Sequence, residues 1–294
     1  MHNNSFKTKA YSMFRHAILN TTYFQEVSPM PLHTQTIGTG FPVVFLHGLG
    51  LDMASMQAWY EPLFSHDQIQ RIYLDLPGMG ASPAVPIDQA NSDTILHLIY
   101  QTIHQRVGQQ DYAVVGHSYG GYLALALAYR DPAVKHAFTT CPAITAVTGE
   151  RSLAAHYTIQ EAAITPATNT QQLADYQRTN VILNPQTWQA YQAQILPGLN
   201  RCDRSFIHLL QRQNSRFYRL SFEDHLRTAR LSQPITLLLG RADNQVGFQE
   251  QLTFGQRQPQ GTVSVLARAG HNLPIDQPAL LAAYFQQFIT SLLH

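Results

Sequence analysis

The stretch Asp111–Arg130, DYAVVGHSYGGYLALALAYR, constrains this chain more than any other. It reads as a short apolar run from Tyr112 to Val115, a serine flanked by glycines, and an alanine- and leucine-rich segment of helical length, hence strand, sharp turn, helix. Such a turn lifts one hydroxyl above the edge of a parallel sheet. Gly116 and Gly120 suit it because the backbone on either side of Ser118 must pass close to itself, and Gly121 and Ala124 let the helix start lie near its neighbours. The string Gly-x-Ser-x-Gly alone decides little, since it arises by chance in roughly one chain in ten of this length. Its meaning depends on whether the rest of the chain supplies the partners that a reactive serine needs.

The surrounding pattern alternates. Thr22–Val27 and His33–Ile37 read as short strands that form an antiparallel pair, and Phe41–Leu46 and Arg71–Leu74 as strands buried on both faces. Helical stripes cover Ser55–Phe64 and Asn91–Val107, and Ala133–Thr140 is a further strand. From Cys141 to about Arg230 strand signals vanish, and helix-length pieces are separated by Thr165-Pro166, Asn184-Pro185 and Pro197-Gly198. Sheet rhythm returns with Pro234–Leu239, a helix from about Val246, the strand Thr262–Leu266 and a closing helix from about Pro278 to Leu293. The expectation is an α/β fold, a mostly parallel sheet flanked by helices, with residues 1–20 as a lead-in, 21–140 and 231–294 as the core, and 141–230 as a helical cap.

Composition removes several function classes. With 294 residues, 45% of them hydrophobic, one large core is affordable. Nineteen Lys and Arg against 18 Asp and Glu give a net charge of +1, which supplies no field for nucleic acid. Cys141 and Cys202 lack metal or disulfide-framework spacing, so neither a zinc site nor a disulfide scaffold is expected. The apolar residues of the first 20 positions are broken by Ser12, Arg15 and His16, unlike a signal peptide, and no window is apolar enough to span a membrane. A soluble, cytoplasmic protein is the expectation.

A serine hydroxyl needs a base, and an imidazole suits because its pKa lies near neutral; the imidazole in turn needs a carboxylate to fix its tautomer. Fourteen histidines compete, and chain position chooses His271, in the loop between the last strand and the last helix. Asp243 occupies the corresponding loop after Pro234–Leu239, so both face the crevice outside the carboxyl ends of the strands. Backbone N–H groups of Tyr119, at a helix start, and of Leu49, in the His47-Gly48-Leu49-Gly50 loop, are the candidate donors to a developing oxyanion. Asp75 is the competing carboxylate and His47 the competing imidazole, both better suited to bracing loops. His117 is expected to face away from Ser118 and to pack.

These motifs together, HGLG, DLPGMGAS, GHSYGG, GRADNQVG and AGHNLP in that order, resemble the α/β-hydrolase superfamily, whose triad order is also Ser, Asp, His. The resemblance runs from about Thr21 to the C-terminus, and the insertion corresponds to that superfamily's variable cap by position alone. It implies Ser118 as nucleophile, His271 as base and then acid, Asp243 as orienting acid, Leu49 and Tyr119 as oxyanion hole, and no metal or cofactor. Relatives with dehalogenase or epoxide hydrolase chemistry carry aspartate at the Ser118 position. Proline iminopeptidases show H-G-G-P-G where this chain has His47-Gly48-Leu49-Gly50-Leu51, and a tryptophan where it has Tyr119. The expected function is therefore a carboxylesterase-like serine hydrolase acting on small esters. The alternatives are a carbon–carbon bond hydrolase, an iminopeptidase-like enzyme or a non-enzymatic ligand-binding module. In the cap, Trp188, Phe206, Phe217 and Tyr218 are the expected substrate-lining residues. Arg212, Arg216 and Arg219 are expected on one helical face, available to a substrate carboxylate or simply to solvent.

Overall fold

A computed structural model describes residues 30–64, 68–164, 170–212 and 217–293. The expected strand Thr22–Val27, the lead-in and Arg216 lie outside them. The seven-stranded sheet contains β1 (Thr34–Ile37), β2 (Phe41–Leu46), β3 (Ile69–Leu74), β4 (Tyr112–His117), β5 (Val134–Thr140), β8 (Ile235–Gly240) and β9 (Gly261–Leu266), in the order β1-β3-β2-β4-β5-β8-β9. Among the described residues only β1 is antiparallel to its neighbour; it pairs with β3, Thr34 opposite Leu74. The central parallel strands β4 and β8 are buried at every residue, as expected where both sheet faces are covered, whereas the edge strand β9 is mostly exposed or half-buried.

Helix α1 (Met53–Tyr60) follows β2, α2 (Ser92–Val107) precedes β4, α3 (Tyr119–Arg130) follows it, and the closing helix Pro278–Leu292 packs on β5. Phe285 of the closing helix meets Tyr60, Phe138 and Phe45 with ring centroids 4.6, 5.5 and 6.4 Å away, which joins helix and sheet in one aromatic core. Asn91 caps α2 by accepting from the Thr94 N–H at 2.8 Å. The chain moves from β2 to β3 on one side and then to β4 on the other, so the strand order reverses between β2 and β4. Their carboxyl ends flank the crevice where such sheets hold ligands.

The insertion differs from the all-helical expectation. Besides its helices it carries a two-residue parallel pair, β6 (Ile159–Gln160) with β7 (Ile182–Leu183), too short to leave a periodicity signal. It is tied to the core by polar bridges: Tyr122 Oη donates to Glu223 Oε2 at 2.5 Å, and Trp59 Nε1 to Gln194 Oε1 at 2.8 Å. Among the described residues no helix is long and apolar enough to cross a membrane.

The turn after β4 depends on its glycines. A Cβ on Gly120 would stand 2.1 Å from the Leu46 carbonyl oxygen, and one on Gly116 2.4 Å from that of Gly120. Both obstacles are backbone. Gly120→Ala is accordingly expected to lower stability by about 1–3 kcal/mol or more, read as a lower urea midpoint; an unchanged midpoint would contradict the close approach of α3 to β2.

Candidate active site

Ser118 sits at φ 54°, a strained value for a residue with a side chain, between the end of β4 and the start of α3. The strain is held in place by its own backbone. Its N–H donates to Thr140 O at 3.0 Å, and its carbonyl accepts from Tyr122 and Ala143 at 3.0 and 3.1 Å.

The structure brings the three expected side chains together. Ser118 Oγ lies 2.9 Å from His271 Nε2, and His271 Nδ1 lies 2.9 Å from Asp243 Oδ2. Asp243 is fully buried, and its other oxygen accepts from the Gln245 and Val246 N–H groups at 2.9 and 3.0 Å. Burial alone would raise its pKa, but the charge and hydrogen bond of His271, with those two N–H groups, hold it below the ordinary carboxylate range. An ionised acceptor on that side fixes the neutral tautomer of His271. The proton sits on Nδ1, and the Nε2 lone pair faces the serine hydroxyl.

The competing groups are occupied elsewhere. His47 Nδ1 donates to Gly48 O at 2.8 Å while Nε2 accepts from the Leu76 N–H at 2.9 Å, and burial lowers its pKa. Asp75 accepts from the N–H groups of Met53 and Ala81, at 2.8 and 2.9 Å, and from His33 Nδ1 at 2.8 Å. Both brace loops. His117 packs as expected, its ring 5.2 Å from that of His271 and 5.0 Å from that of Trp59, but it does not face away: it lines the same cavity as Ser118. Burial, then the charge of His271, pushes it down to about 3, so it is a neutral wall and not a second base.

Tyr119 opens α3, so its N–H has no partner one turn back. Leu49 lies in the tight turn closed by Leu51 N–H to Gly48 O at 3.1 Å, and among the described residues its own N–H donates to no other group. A cluster of potential metal ligands is Cys141, Asp243 and His271, whose ligand atoms lie within 4.8 Å of one another. Asp243 and His271 already bond each other, and burial, with Asp243 next, keeps the Cys141 thiol protonated, so no deprotonated ligand set stands ready.

Above Ser118 lies a cavity of about 780 Å³. Its apolar wall includes Leu51, Tyr191, Ile195 and Leu199, and of the four expected cap residues Tyr218 alone lines it. Trp188 instead stacks on Tyr191 and meets Tyr176 edge-on, with centroids 5.9 and 5.1 Å away. Phe206 covers Gly78, where a Cβ would lie 2.5 Å from its ring, and Phe217 packs on the core. Trp188, Phe206 and Phe217 are thus spent on packing within the insertion and against the main core.

The arginine face is also corrected. The helix ends at Gln211, and Arg219 pairs with Glu223 and Asp224 at 3.5 and 2.6 Å. Arg212 does line the cavity, together with Arg151 and Arg178, neither of which carries a mark in the sequence pattern.

The model of the Alpha/beta hydrolase family matches residues 43–284. The chain belongs to that family. A crystal structure of an alpha/beta superfamily hydrolase from Oenococcus oeni is 39% identical, with a TM-score of 0.84, over 90% of this chain and 97% of that one. A 2-hydroxymuconate semialdehyde hydrolase of Pseudomonas putida is 28% identical over 88% of this chain and 89% of its own length. A pimeloyl-[acyl-carrier protein] methyl ester esterase of Chromobacterium violaceum is 37% identical, but over only 35% of this chain and 37% of its own length. Against a further curated relative, the abhydrolase domain-containing protein abhd-5.2 of Caenorhabditis elegans, the chain is 30% identical over 31% of its own length and spans 21% of that protein.

Proposed function

We propose that the chain is a serine hydrolase that cleaves small carboxylic esters through an acyl-enzyme. Ser118 Oγ attacks the ester carbonyl as His271 Nε2 takes its proton, and Asp243 stabilises the imidazolium that forms. The N–H groups of Leu49 and Tyr119 receive the negative oxygen of the tetrahedral intermediate. Its collapse expels the alcohol, which takes the proton from His271; water, deprotonated by the same imidazole, then releases the acid. Residues 141–230 act as a cap over this chemistry, and the unpaired thiols of Cys141 and Cys202 fit a reducing, cytoplasmic setting. The observation that carries the reading is the unbroken run of two 2.9 Å contacts from Ser118 through His271 to Asp243 under the cavity. An esterase among the relatives adds support.

A second reading, hydrolysis of a carboxylate-bearing substrate with ester or carbon–carbon cleavage, is favoured by the charge of the cavity wall. Arg151, Arg178 and Arg212 line it against Asp175, which is paired with Arg178 at 3.1 Å. Arg151 is held by the carbonyls of Thr145, Gln245 and Ala146, none of which neutralises it.

One experiment addresses both readings. Turnover of p-nitrophenyl butyrate and of the singly charged p-nitrophenyl glutarate is expected, with a preference for the charged ester that falls about threefold to tenfold in Arg212→Gln and shrinks at high salt. Absence of turnover of either ester would contradict the esterase reading, and a ratio indifferent to Arg212 and to salt would remove the second.

A further inference from the structure

His271 sits between two residues that are both tied to the cap. Before it, the Gly270 N–H donates to Asp276 Oδ2 at 2.8 Å. After it, Asn272 Nδ2 donates to Thr179 Oγ1 at 3.0 Å and to Asn180 Oδ1 at 2.8 Å, and the Asn272 N–H reaches Thr179 O at 3.4 Å. The Asp276 carboxylate does not stop at the loop. It accepts from the Ile182 N–H at 3.0 Å and from the Val181 N–H at 3.0 and 3.1 Å to its two oxygens, with Asn180 Nδ2 3.5 Å away. One carboxylate, 5% exposed, thus binds the loop of His271 and the start of β7 in the cap together.

The fit is close. A Cβ on Gly270 would lie 3.0 Å from the Thr179 carbonyl oxygen and 3.3 Å from Val181 Cγ2. A buried carboxylate is costly to desolvate and persists where its oxygens are satisfied, here by backbone donors from two segments far apart in the chain. Asp175, Arg178 and Thr179, at or just before this contact, line the cavity over Ser118. Whatever occupies the cavity therefore touches the same piece of cap that the loop of His271 leans on.

We propose that Asp276 is a positioning residue for the reaction: it sets His271 relative to Ser118 by fastening the loop to Thr179–Ile182 of the cap, with Asn272 as a second strap. The base is then in place only while that part of the cap is seated. The proposal rests on the reading of His271 as general base. It gives the cap a part in the chemistry besides shaping the cavity.

Asp276→Asn keeps the size of the side chain but replaces one acceptor by an NH2 group that must face N–H donors. Its kcat is expected to fall about 10- to 100-fold, since an error near 1 Å in a reacting group costs about that much, while KM stays within about threefold. Burial pushes the Asp276 carboxyl up to about 6 although the N–H groups of Gly270, Ile182 and Val181 pull it down, so measurements near pH 8 compare the ionised side chain with asparagine. The second readout needs no substrate. The low-field proton NMR signal of His271 Nδ1–H, identified by its loss in Asp243→Asn, is expected to shift or vanish in Asp276→Asn.

Should that variant fail to fold, Asn272→Ala carries the same two readouts with a smaller change, several-fold in kcat. A folded variant that melts earlier but keeps both kcat and the signal would show a merely structural role and overturn the proposal. A wrong choice of ester leaves the NMR arm intact and shows instead as absent turnover by the unsubstituted chain.

Discussion

Ser118→Ala is expected to lower kcat by roughly 10⁶-fold on any ester the chain turns over, because the three groups act as a unit and the loss of one disables the others. The variant should fold. Alanine keeps the Cβ that already stands at φ 54°, so the strain at the turn is unchanged, and the backbone bonds to Thr140, Tyr122 and Ala143 do not involve the hydroxyl. What is lost is the oxygen 2.9 Å from His271 Nε2. Residual catalysis of about 10³-fold over water is expected from the Leu49 and Tyr119 N–H groups and from binding, with KM little changed. A loss below tenfold would place the nucleophile elsewhere.

Asp243→Asn is the second large effect, a fall in kcat of about 10⁴-fold. The amide fits the same space and still offers an oxygen to Gln245 and Val246, whose N–H groups bind Asp243 Oδ1 at 2.9 and 3.0 Å. Its NH2 then faces His271 Nδ1 and forces the proton onto Nε2, the wrong tautomer to accept from a serine. Because the Asp243 carboxyl is held below its ordinary range, it stays ionised as pH falls toward that range, so a loss of activity setting in above about pH 5 belongs to another group. Asp75→Asn supplies the contrast. It loosens the loops of Met53, Ala81 and His33 and lowers the melting temperature, without a comparable loss of kcat in the folded fraction.

The sheet, the turn at Ser118 and the loops of Asp243 and His271 were legible because each site residue follows a strand end marked by glycine, after fully buried runs in β4 and β8 and after the half-buried edge strand β9 for His271. Residues 141–230 stand out in the sequence as a change of pattern, but their individual roles do not. Their aromatic side chains carry no mark that separates a wall from a core, so Trp188 and Phe206 read like Tyr218 although they pack inward. A helical face through Arg212 and Arg219 failed because the helix ends at Gln211, which nothing in the spacing of the arginines reveals. His117 packs as read, but its place on the cavity wall was hidden because the alternation of a strand does not extend through a turn at positive φ. Asp276 was missed for a different reason: its partners are backbone N–H groups of Gly270, Val181 and Ile182, and backbone donors have no signature in a sequence.

The most direct test of Ser118 as the acylated residue is the intact mass and peptide map of the protein after reaction with a fluorophosphonate. One adduct per chain is expected, on the peptide that contains Ser118, formed slowly in Asp243→Asn and absent in Ser118→Ala. No adduct on the unsubstituted chain, or one that survives Ser118→Ala, would contradict the assignment.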